Sequence, residues 1–231
     1  MIGMTLNNAS AQSSSAPASP TKAKIPTEAS TQAEPGKVFQ KSILVLGDSL
    51  SAEYGIRRGS GWVQLLQQEL DQSKVAQAKL VRTIYQFQNA SISGETTAGG
   101  RARISALLDK YKPAIVVLEL GGNDALRGLE LSATEKNLRE ITQLAQKSGA
   151  KVLMVGMQIP PNFGASYANK FAAIFAKIAT TEKAMLLPFL LKGVAERAEL
   201  FQADRIHPTE AAQPIMAANV SAALKPLLGQ H

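Results

Sequence analysis

Five short apolar runs, each followed by a segment with helical spacing, constrain the fold of this chain more than any other feature. The runs cover residues 43–46, 80–87, 114–120, 151–157 and 185–188. Between them, apolar residues recur every three or four positions, as on one face of a helix. Such stripes begin at Trp62, Ile104, Leu138 and Tyr167. Strands that alternate with helices predict a parallel sheet covered on both faces. We therefore predict an α/β protein: a three-layer α/β/α fold with a flavodoxin-like, doubly wound parallel sheet of five strands.

Two helix boundaries are also predicted from local patterns. Ser132 and Glu135 have the spacing of a capping box, which places a helix start at Ser132. A last helix is predicted from Thr209 to about Leu227, with Pro214 near its first turns. We interpret the apolar stripes of these helices as core rather than as a cofactor site.

Residues 1–37 differ in composition from the rest of the chain. They are rich in Ser, Ala, Pro, Thr and Gln, and they cannot bury enough apolar surface to offset the entropy of ordering. We predict a disordered leader or linker over 1–37 and one folded domain over 38–231. Small residues around Ala11 resemble an export cleavage site, although the preceding residues are too few for the apolar region of a signal peptide. We expect a periplasmic or secreted protein, with a cytoplasmic location left open.

The composition excludes several function classes. The chain has no cysteine, which excludes disulfides, a cysteine nucleophile and thiolate metal sites. No apolar stretch approaches the roughly 20 residues that span a bilayer, so no stable membrane insertion is expected. The net charge is +7, but the basic residues are scattered and aromatic residues make up only 5%. This pattern favours a basic, soluble surface over a nucleic-acid partner. We expect a monomer.

Polar clusters follow the apolar runs. They are 47–51 (GDSLS), 89–96 (NASISGET), 121–124 (GGND), 158–162 (QIPPN) and 204–208 (DRIHP). Open parallel sheets bind ligands outside the carboxyl ends of their strands, so these clusters are expected to share one rim. Turns alone would explain each cluster, but together they carry the groups that acyl transfer requires.

Nucleophilic catalysis by a serine would need three of these residues. Ser49 is the candidate nucleophile, and a serine hydroxyl needs an adjacent base. Of the two histidines, His231 ends the chain, which leaves His207 as the base. Asp204, three residues earlier, could fold back to orient the imidazole ring. The Ser49 and Gly94 N–H groups and the Asn123 amide could stabilise the oxyanion.

The remaining acidic residues have simpler interpretations. Asp48 and Asp124 are most simply local hydrogen-bonding or capping residues, and Glu95 and Glu119 solvated or paired charges. One alternative is a metal-dependent phosphohydrolase in which Asp48, Asp124 and Asp204 hold a hard cation. The chain lacks a phosphate-binding loop of the type G-x-x-x-x-G-K-[ST], which disfavours that alternative.

These motifs resemble those of the SGNH hydrolases, also called GDSL esterases/lipases. The four residues that name the family match Ser49, Gly94, Asn123 and His207, and the resemblance extends over roughly residues 42–228. Within the family, NASISGETTAGG, LELGGNDALRG and DRIHPTEAAQP are most similar to the bacterial multifunctional thioesterase/lysophospholipase/arylesterase branch. The resemblance implies the same triad of Ser49, His207 and Asp204, and an oxyanion hole from Ser49, Gly94 and Asn123.

The resemblance carries further expectations. It implies that Ser49 begins a helix after the first strand. The loop 157–164 resembles the substrate-side loop of the branch, in which Ile159 and Pro160 would contact the acyl chain; a connection stiffened by its prolines is the alternative. The implied substrates are small-molecule acyl esters and thioesters of lipid metabolism, cleaved without a metal or cofactor. Two alternatives stay open: a carbohydrate acetylesterase on the same fold, and a binding module without turnover.

Overall fold

The computed structural model describes residues 38–76 and 82–229. Residues 1–37, where the sequence predicts a leader, and the C-terminal residues 230–231 lie outside this range. The described part contains five strands: β1 (Val38–Gly47), β2 (Arg82–Asn89), β3 (Ile115–Glu119), β4 (Lys151–Val155) and β5 (Met185–Leu187). All neighbours are parallel, in the order β2-β1-β3-β4-β5. This is the flavodoxin-like order, and the predicted fold class is confirmed.

Helices cover both faces of the sheet. They are α1 (Trp62–Ala76), α2 (Thr97–Tyr111), α3 (Gly122–Leu126), α4 (Leu131–Lys147), α5 (Ala165–Thr181) and α6 (Gln213–Leu224). Short 3₁₀ turns span Pro161–Phe163, Ala198–Leu200, Glu210–Ala212 and Lys225–Leu227. The predicted last helix is therefore α6 with a 3₁₀ turn at each end. No helix in residues 38–76 and 82–229 is long and apolar enough to cross a membrane.

Burial on both faces explains why the central strands are continuous apolar runs. In β1, Ile43 and Val45 pack with α1 and α6, whereas Leu44 and Leu46 pack with α2, α4 and α5. All four side chains are fully buried. Successive side chains of a strand point to opposite faces, so a strand covered on both sides needs apolar residues at every position. Burying each such side chain stabilises the fold by about 1.5–3 kcal/mol.

The predicted capping box at the start of α4 is wrong. The helix begins one residue earlier, at Leu131, so Ser132 lies within its first turn with an exposed side chain. A residue with helical backbone cannot take the extended conformation of an N-cap. Glu135 instead forms ion pairs with Arg139, at 2.5 Å, and with Lys177, at 2.8 Å. These cations draw its carboxylate away from the helix terminus.

Candidate active site

The site lies where the sheet topology changes direction. From β1 the chain passes to β2 on one side and then crosses to β3 on the other, which leaves a crevice outside the carboxyl ends of β1 and β3. Ser49 follows β1 directly, and Asn123 lies in α3, directly after β3. His207 reaches the same rim from the loop that precedes α6. The fold thus brings three distant sequence motifs to one edge.

Ser49 lies in a turn, and the expectation that it begins a helix is wrong. After β1 the N–H groups of Ser51 and Ala52 both donate to the Asp48 carbonyl, at 3.2 and 3.0 Å, but α1 starts only at Trp62. Glu53 has φ of 59°, in the left-handed region that ends a right-handed helix. The turn therefore positions Ser49 without help from a helix dipole.

Ser49, His207 and Asp204 are in hydrogen-bond contact. The Ser49 Oγ lies 2.9 Å from His207 Nε2, and His207 Nδ1 lies 2.6 Å from Asp204 Oδ2. The other oxygen, Asp204 Oδ1, accepts from the N–H groups of Ile206, at 2.9 Å, and of His207, at 3.0 Å. Arg205 has φ of 58°, a left-handed conformation that turns this short loop back on itself. The arrangement can accept the serine proton at Nε2.

Asp204 is held in its ionised form. Hydrogen bonds from the His207 backbone, the His207 ring and the Ile206 backbone lower the pKa of Asp204 to about 2. An ionised Asp204 accepts a hydrogen from Nδ1, which leaves Nε2 of the neutral ring as the acceptor facing Ser49. The geometry thereby assigns the tautomer that a general base requires.

Two residues that support the histidine have no counterpart in the sequence predictions. The Tyr54 ring packs on the His207 ring, with 4.3 Å between centroids and an interplanar angle of 39°. Gln202 donates through Nε2 to the carbonyls of Tyr54 and Pro208, both at 3.0 Å. Its N–H donates to the His207 carbonyl at 2.8 Å. The contacts of Tyr54 with His207 and with Gln202 join segments about 150 positions apart, so no local pattern could have indicated them.

The three donors predicted for the oxyanion hole differ in their hydrogen bonds. Among the described residues, the N–H groups of Ser49 and Gly94 have no acceptor. Gly94 has φ of 78°, and its carbonyl accepts from Arg127 Nη2 at 3.0 Å. Asn123 Nδ2 donates to Asp48 Oδ2 at 3.1 Å and to the Glu95 carbonyl at 3.0 Å. Unpaired N–H groups and a fixed amide are suited to stabilise a developing oxyanion.

A cleft of about 1030 Å³ opens beside Ser49, Asn123 and His207. Ile159 and Pro160, the residues expected to contact substrate, both line it, whereas Gly94 does not. Most of the remaining walls are apolar: Leu50, Leu126, Met157, Phe189, Leu190, Leu191, Ala195, Ala198, Phe201, Ala203 and Ile206. A cleft of this size with mainly apolar walls and several polar groups is suited to a small molecule with a hydrocarbon part.

Buried acids surround the Ser49 turn, and the expectation that Glu119 is a solvated or paired charge is wrong. Glu119 is fully buried, and its Oε2 accepts from Ser51 Oγ at 2.6 Å and from the Asp48 N–H at 3.2 Å. Burial raises the pKa of Asp48 to about 6. Burial and the adjacent Asp48 charge raise the pKa of Glu119 well above its usual value. The burial of Glu119 could not be predicted from the sequence, because an acid that ends a strand is usually exposed.

The other acids have separate partners. Asp124 was expected to bond locally, but its carboxylate accepts from the N–H of Thr97, at 2.9 Å, and from its hydroxyl, at 2.5 Å, 27 positions away. Glu95 pairs with Arg103 at 2.6 Å. Within the part of the chain that the structure describes, no group of three or more His, Cys, Asp or Glu residues could hold a metal ion. The aspartates at 48, 124 and 204 therefore do not form the cation site of the phosphohydrolase alternative.

Comparison with known proteins shows the family of this chain. The model of the GDSL-like Lipase/Acylhydrolase family matches residues 45–214. Esterase TesA of Pseudomonas aeruginosa is 47% identical over 188 residues, which is 81% of this chain and 90% of that protein. Thioesterase 1/protease 1/lysophospholipase L1 of Escherichia coli is 39% identical over 187 residues, 81% of this chain and 85% of that protein.

A solved structure gives the same result. The psychrotrophic esterase EstA from Pseudoalteromonas sp., in a crystal structure inhibited by monoethylphosphonate, superposes with a TM-score of 0.75 at 36% identity. The match covers 82% of this chain and 100% of that one. The fold of this chain, the family match over residues 45–214 and the hydrolases that the chain resembles identify it as an ester hydrolase, a member of the GDSL-like lipase/acylhydrolase family.

Proposed function

We propose that this enzyme hydrolyses esters and thioesters of acyl chains through an acyl-enzyme on Ser49. The observation that carries the proposal is the 2.9 Å contact between Ser49 Oγ and His207 Nε2 in the wall of a mainly apolar cleft. The ionised Asp204 at the far side of the imidazole supports the same assignment. A hydroxyl with a base in contact and a third group that orients the base is the arrangement of an activated nucleophile.

The proposed reaction has two steps. In the first, Ser49 Oγ attacks the carbonyl carbon, His207 takes the serine proton, and the leaving alcohol or thiol receives that proton as its bond to carbon breaks. In the second, His207 takes a proton from water as the water oxygen attacks the acyl carbon. His207 then returns that proton to Ser49 Oγ as the bond from Oγ to the acyl carbon breaks and the acid is released. The N–H groups of Ser49 and Gly94 and the Asn123 amide stabilise the oxyanion in both steps.

The proposed substrate is a small molecule with an acyl chain, such as those of lipid metabolism. Support comes from the apolar walls of the cleft, to which Ile159 and Pro160 contribute. Each methylene that enters such a surface adds about 0.8 kcal/mol of binding. We expect Ile159→Ala to lower kcat/KM for long-chain esters more than for acetate. Equal losses for both would exclude contact between Ile159 and the acyl chain.

Hydrolysis of nitrophenyl esters from acetate to palmitate tests this proposal. Wild type should turn these substrates over, and Ser49→Ala should not; a matched control is Ser132→Ala, which changes an exposed serine of α4. Acyl-coenzyme A can be followed with a thiol reagent without background because the chain has no cysteine. Activity that persists in Ser49→Ala would overturn the proposal. A strict preference for acetate would indicate a carbohydrate acetylesterase instead.

We also propose that the enzyme acts outside the cytoplasm, as a monomer. Support for export is the run of small residues around Ala11, within the Ser/Ala/Pro-rich stretch of 1–37. Expression of the full gene followed by fractionation, N-terminal mass analysis and light scattering tests both points. An uncleaved protein confined to the cytoplasm would contradict export, and a stable dimer would contradict the monomer.

A further inference from the structure

Two carboxyl groups, those of Asp48 and Glu119, are buried beneath the Ser49 turn and take no part in the steps proposed above. Asp48 is 2% exposed and Glu119 is 0% exposed. No ion pair within residues 38–76 and 82–229 includes either of them. Burying a carboxyl group without a cation destabilises a fold unless other groups compensate. The hydrogen bonds of Asp48 and Glu119 indicate what these two carboxyl groups do in the fold.

Glu119 ties together the two sides of the nucleophile turn. It ends β3, where its register partner in β1 is Gly47. Its Oε2 accepts from the Asp48 N–H, just before Ser49, and from Ser51 Oγ, just after it. A Cβ on Gly47 would lie 2.6 Å from this oxygen, so only glycine leaves room for the carboxyl group.

Asp48 links that turn to Asn123. Its Oδ1 accepts from the Leu50 N–H at 3.0 Å, which fixes the carboxyl group within the turn. Its Oδ2 accepts from Asn123 Nδ2 at 3.1 Å. The same nitrogen donates to the Glu95 carbonyl at 3.0 Å, so two acceptors determine where the amide hydrogens point. One of those acceptors belongs to the residue next to the nucleophile.

We propose that Asp48 is a positioning residue that holds the Asn123 amide in the oxyanion site, and that Glu119 fixes Asp48 in the place from which it does so. This inference rests on the proposed function, because it assigns Asn123 as an oxyanion donor. Asp48 and Glu119 would then hold the Ser49 turn and the Asn123 amide at a fixed separation. The oxyanion of the substrate accepts a hydrogen bond from the same Asn123 amide group that donates to Asp48 Oδ2.

A double-mutant cycle between Asp48 and Asn123 tests the proposal. Asp48→Asn keeps the size of the side chain but sets an NH₂ group or a neutral oxygen against the Asn123 amide. It should lower kcat by about 10- to 10²-fold with a smaller change in KM, because misplaced groups cost rate. Asn123→Ala should lower kcat by about 10²-fold. In the double variant, Asp48→Asn should cost no more than about threefold further, since its partner is already absent.

The exposed Asp109→Asn is the matched control and should leave kcat and Tm unchanged. Losses at Asp48 and Asn123 that multiply in the double variant would overturn the proposal, because they would show that Asp48 acts independently of Asn123. A second measurement does not depend on activity. The side-chain amide signal of Asn123, assigned by NMR with Asn123→Ala, should shift in Asp48→Asn, and an unchanged signal would likewise overturn the proposal.

Variants of Glu119 test the second part of the proposal, that Glu119 fixes Asp48. Glu119→Gln keeps an oxygen for the Asp48 N–H and Ser51 Oγ, and should retain activity within about threefold of wild type. Glu119→Leu has similar bulk without an acceptor, and should lose activity even where Tm shows it folded. A folded, fully active Glu119→Leu would overturn this part. Failure of the proposed function itself would be seen separately, as turnover in Ser49→Ala.

Discussion

At the scale of single residues, the short loop 204–207 determines the tautomer of His207, the proposed catalytic base. One carboxylate accepts from the His207 ring and from two backbone N–H groups, so the loop that carries the base also carries its orienting group. The Tyr54 ring packs on the imidazole ring. His207 is therefore constrained by Asp204 at Nδ1 and by the Tyr54 ring before substrate arrives.

Asp204→Asn should therefore lower kcat while leaving the fold intact. An asparagine amide can donate to Nδ1, which would favour the tautomer whose Nε2 carries a hydrogen and cannot accept the serine proton. We expect kcat to fall by about 10² to 10⁴-fold. The measurement is kcat on nitrophenyl butyrate together with Tm. An activity close to that of wild type would contradict the role given to Asp204.

Activity should also fall on acidification. Protonated His207 cannot take the proton of Ser49, whereas the pKa of Asp204, about 2, keeps that carboxylate ionised over the same range. We expect kcat/KM to decline from about pH 8 to about pH 5. A flat profile over that range, measured where Tm shows the protein folded, would exclude His207 as the base.

At the scale of secondary-structure elements, local periodicity predicted the five strands and the main helices. Strands that alternate with helices leave few possible arrangements, because parallel connections need crossovers. Helix starts depend on a few atoms and are harder to predict. Ser132 and Glu135 match a capping box in sequence, yet α4 begins at Leu131 and Glu135 pairs with Lys177 from α5.

The capping difference gives a direct test. Thr96 does cap α2, since its side chain accepts from the Gly99 N–H at 3.3 Å. Thr96→Ala should lower the free energy of unfolding by about 1 kcal/mol. Ser132→Ala should change it by less than about 0.5 kcal/mol, because Ser132 is exposed and caps nothing. Urea unfolding measures both, and equal losses would contradict the boundary of α4.

In the candidate site too, some residues could be predicted from local motifs and others could not. The residues that the motifs singled out, Ser49, Asp204 and His207, lie together because the sheet topology brings the ends of distant strands to one edge. Glu119, Tyr54 and Gln202 could not be predicted, because their roles come from contacts between segments far apart in the chain. A glutamate at the end of a strand is indistinguishable, in sequence, from a solvated one.

At the scale of the whole molecule, the buried acids beneath the active site should reduce stability as the pH rises. Burial raises the pKa of both Asp48 and Glu119, so the folded protein binds these protons more tightly than the unfolded chain, whose carboxyl groups titrate near pH 4. The two protonated carboxyl groups contribute fully to stability below about pH 4. The contribution of Asp48 is lost as the pH rises through about 6, and that of Glu119 is lost as the pH rises through its own raised pKa.

The loss from Asp48 alone amounts to up to about 3 kcal/mol. Glu119→Gln cannot ionise, so its Tm should decline less than that of wild type between about pH 4 and about pH 9. The exposed Asp109→Asn is the control and should follow wild type. Parallel curves for wild type and Glu119→Gln would contradict the buried, proton-binding state of this acid.

The central claim is that Ser49 is the nucleophile, activated through contact with His207. Covalent trapping with a nitrophenyl ethylphosphonate, followed by intact mass and peptide mapping, tests it most directly. We expect one phosphonyl group on Ser49 in wild type, none in Ser49→Ala, and much slower labelling in His207→Ala. A wild-type enzyme that hydrolyses esters while Ser49 stays unlabelled, or a Ser49→Ala variant that is still labelled and active, would contradict it.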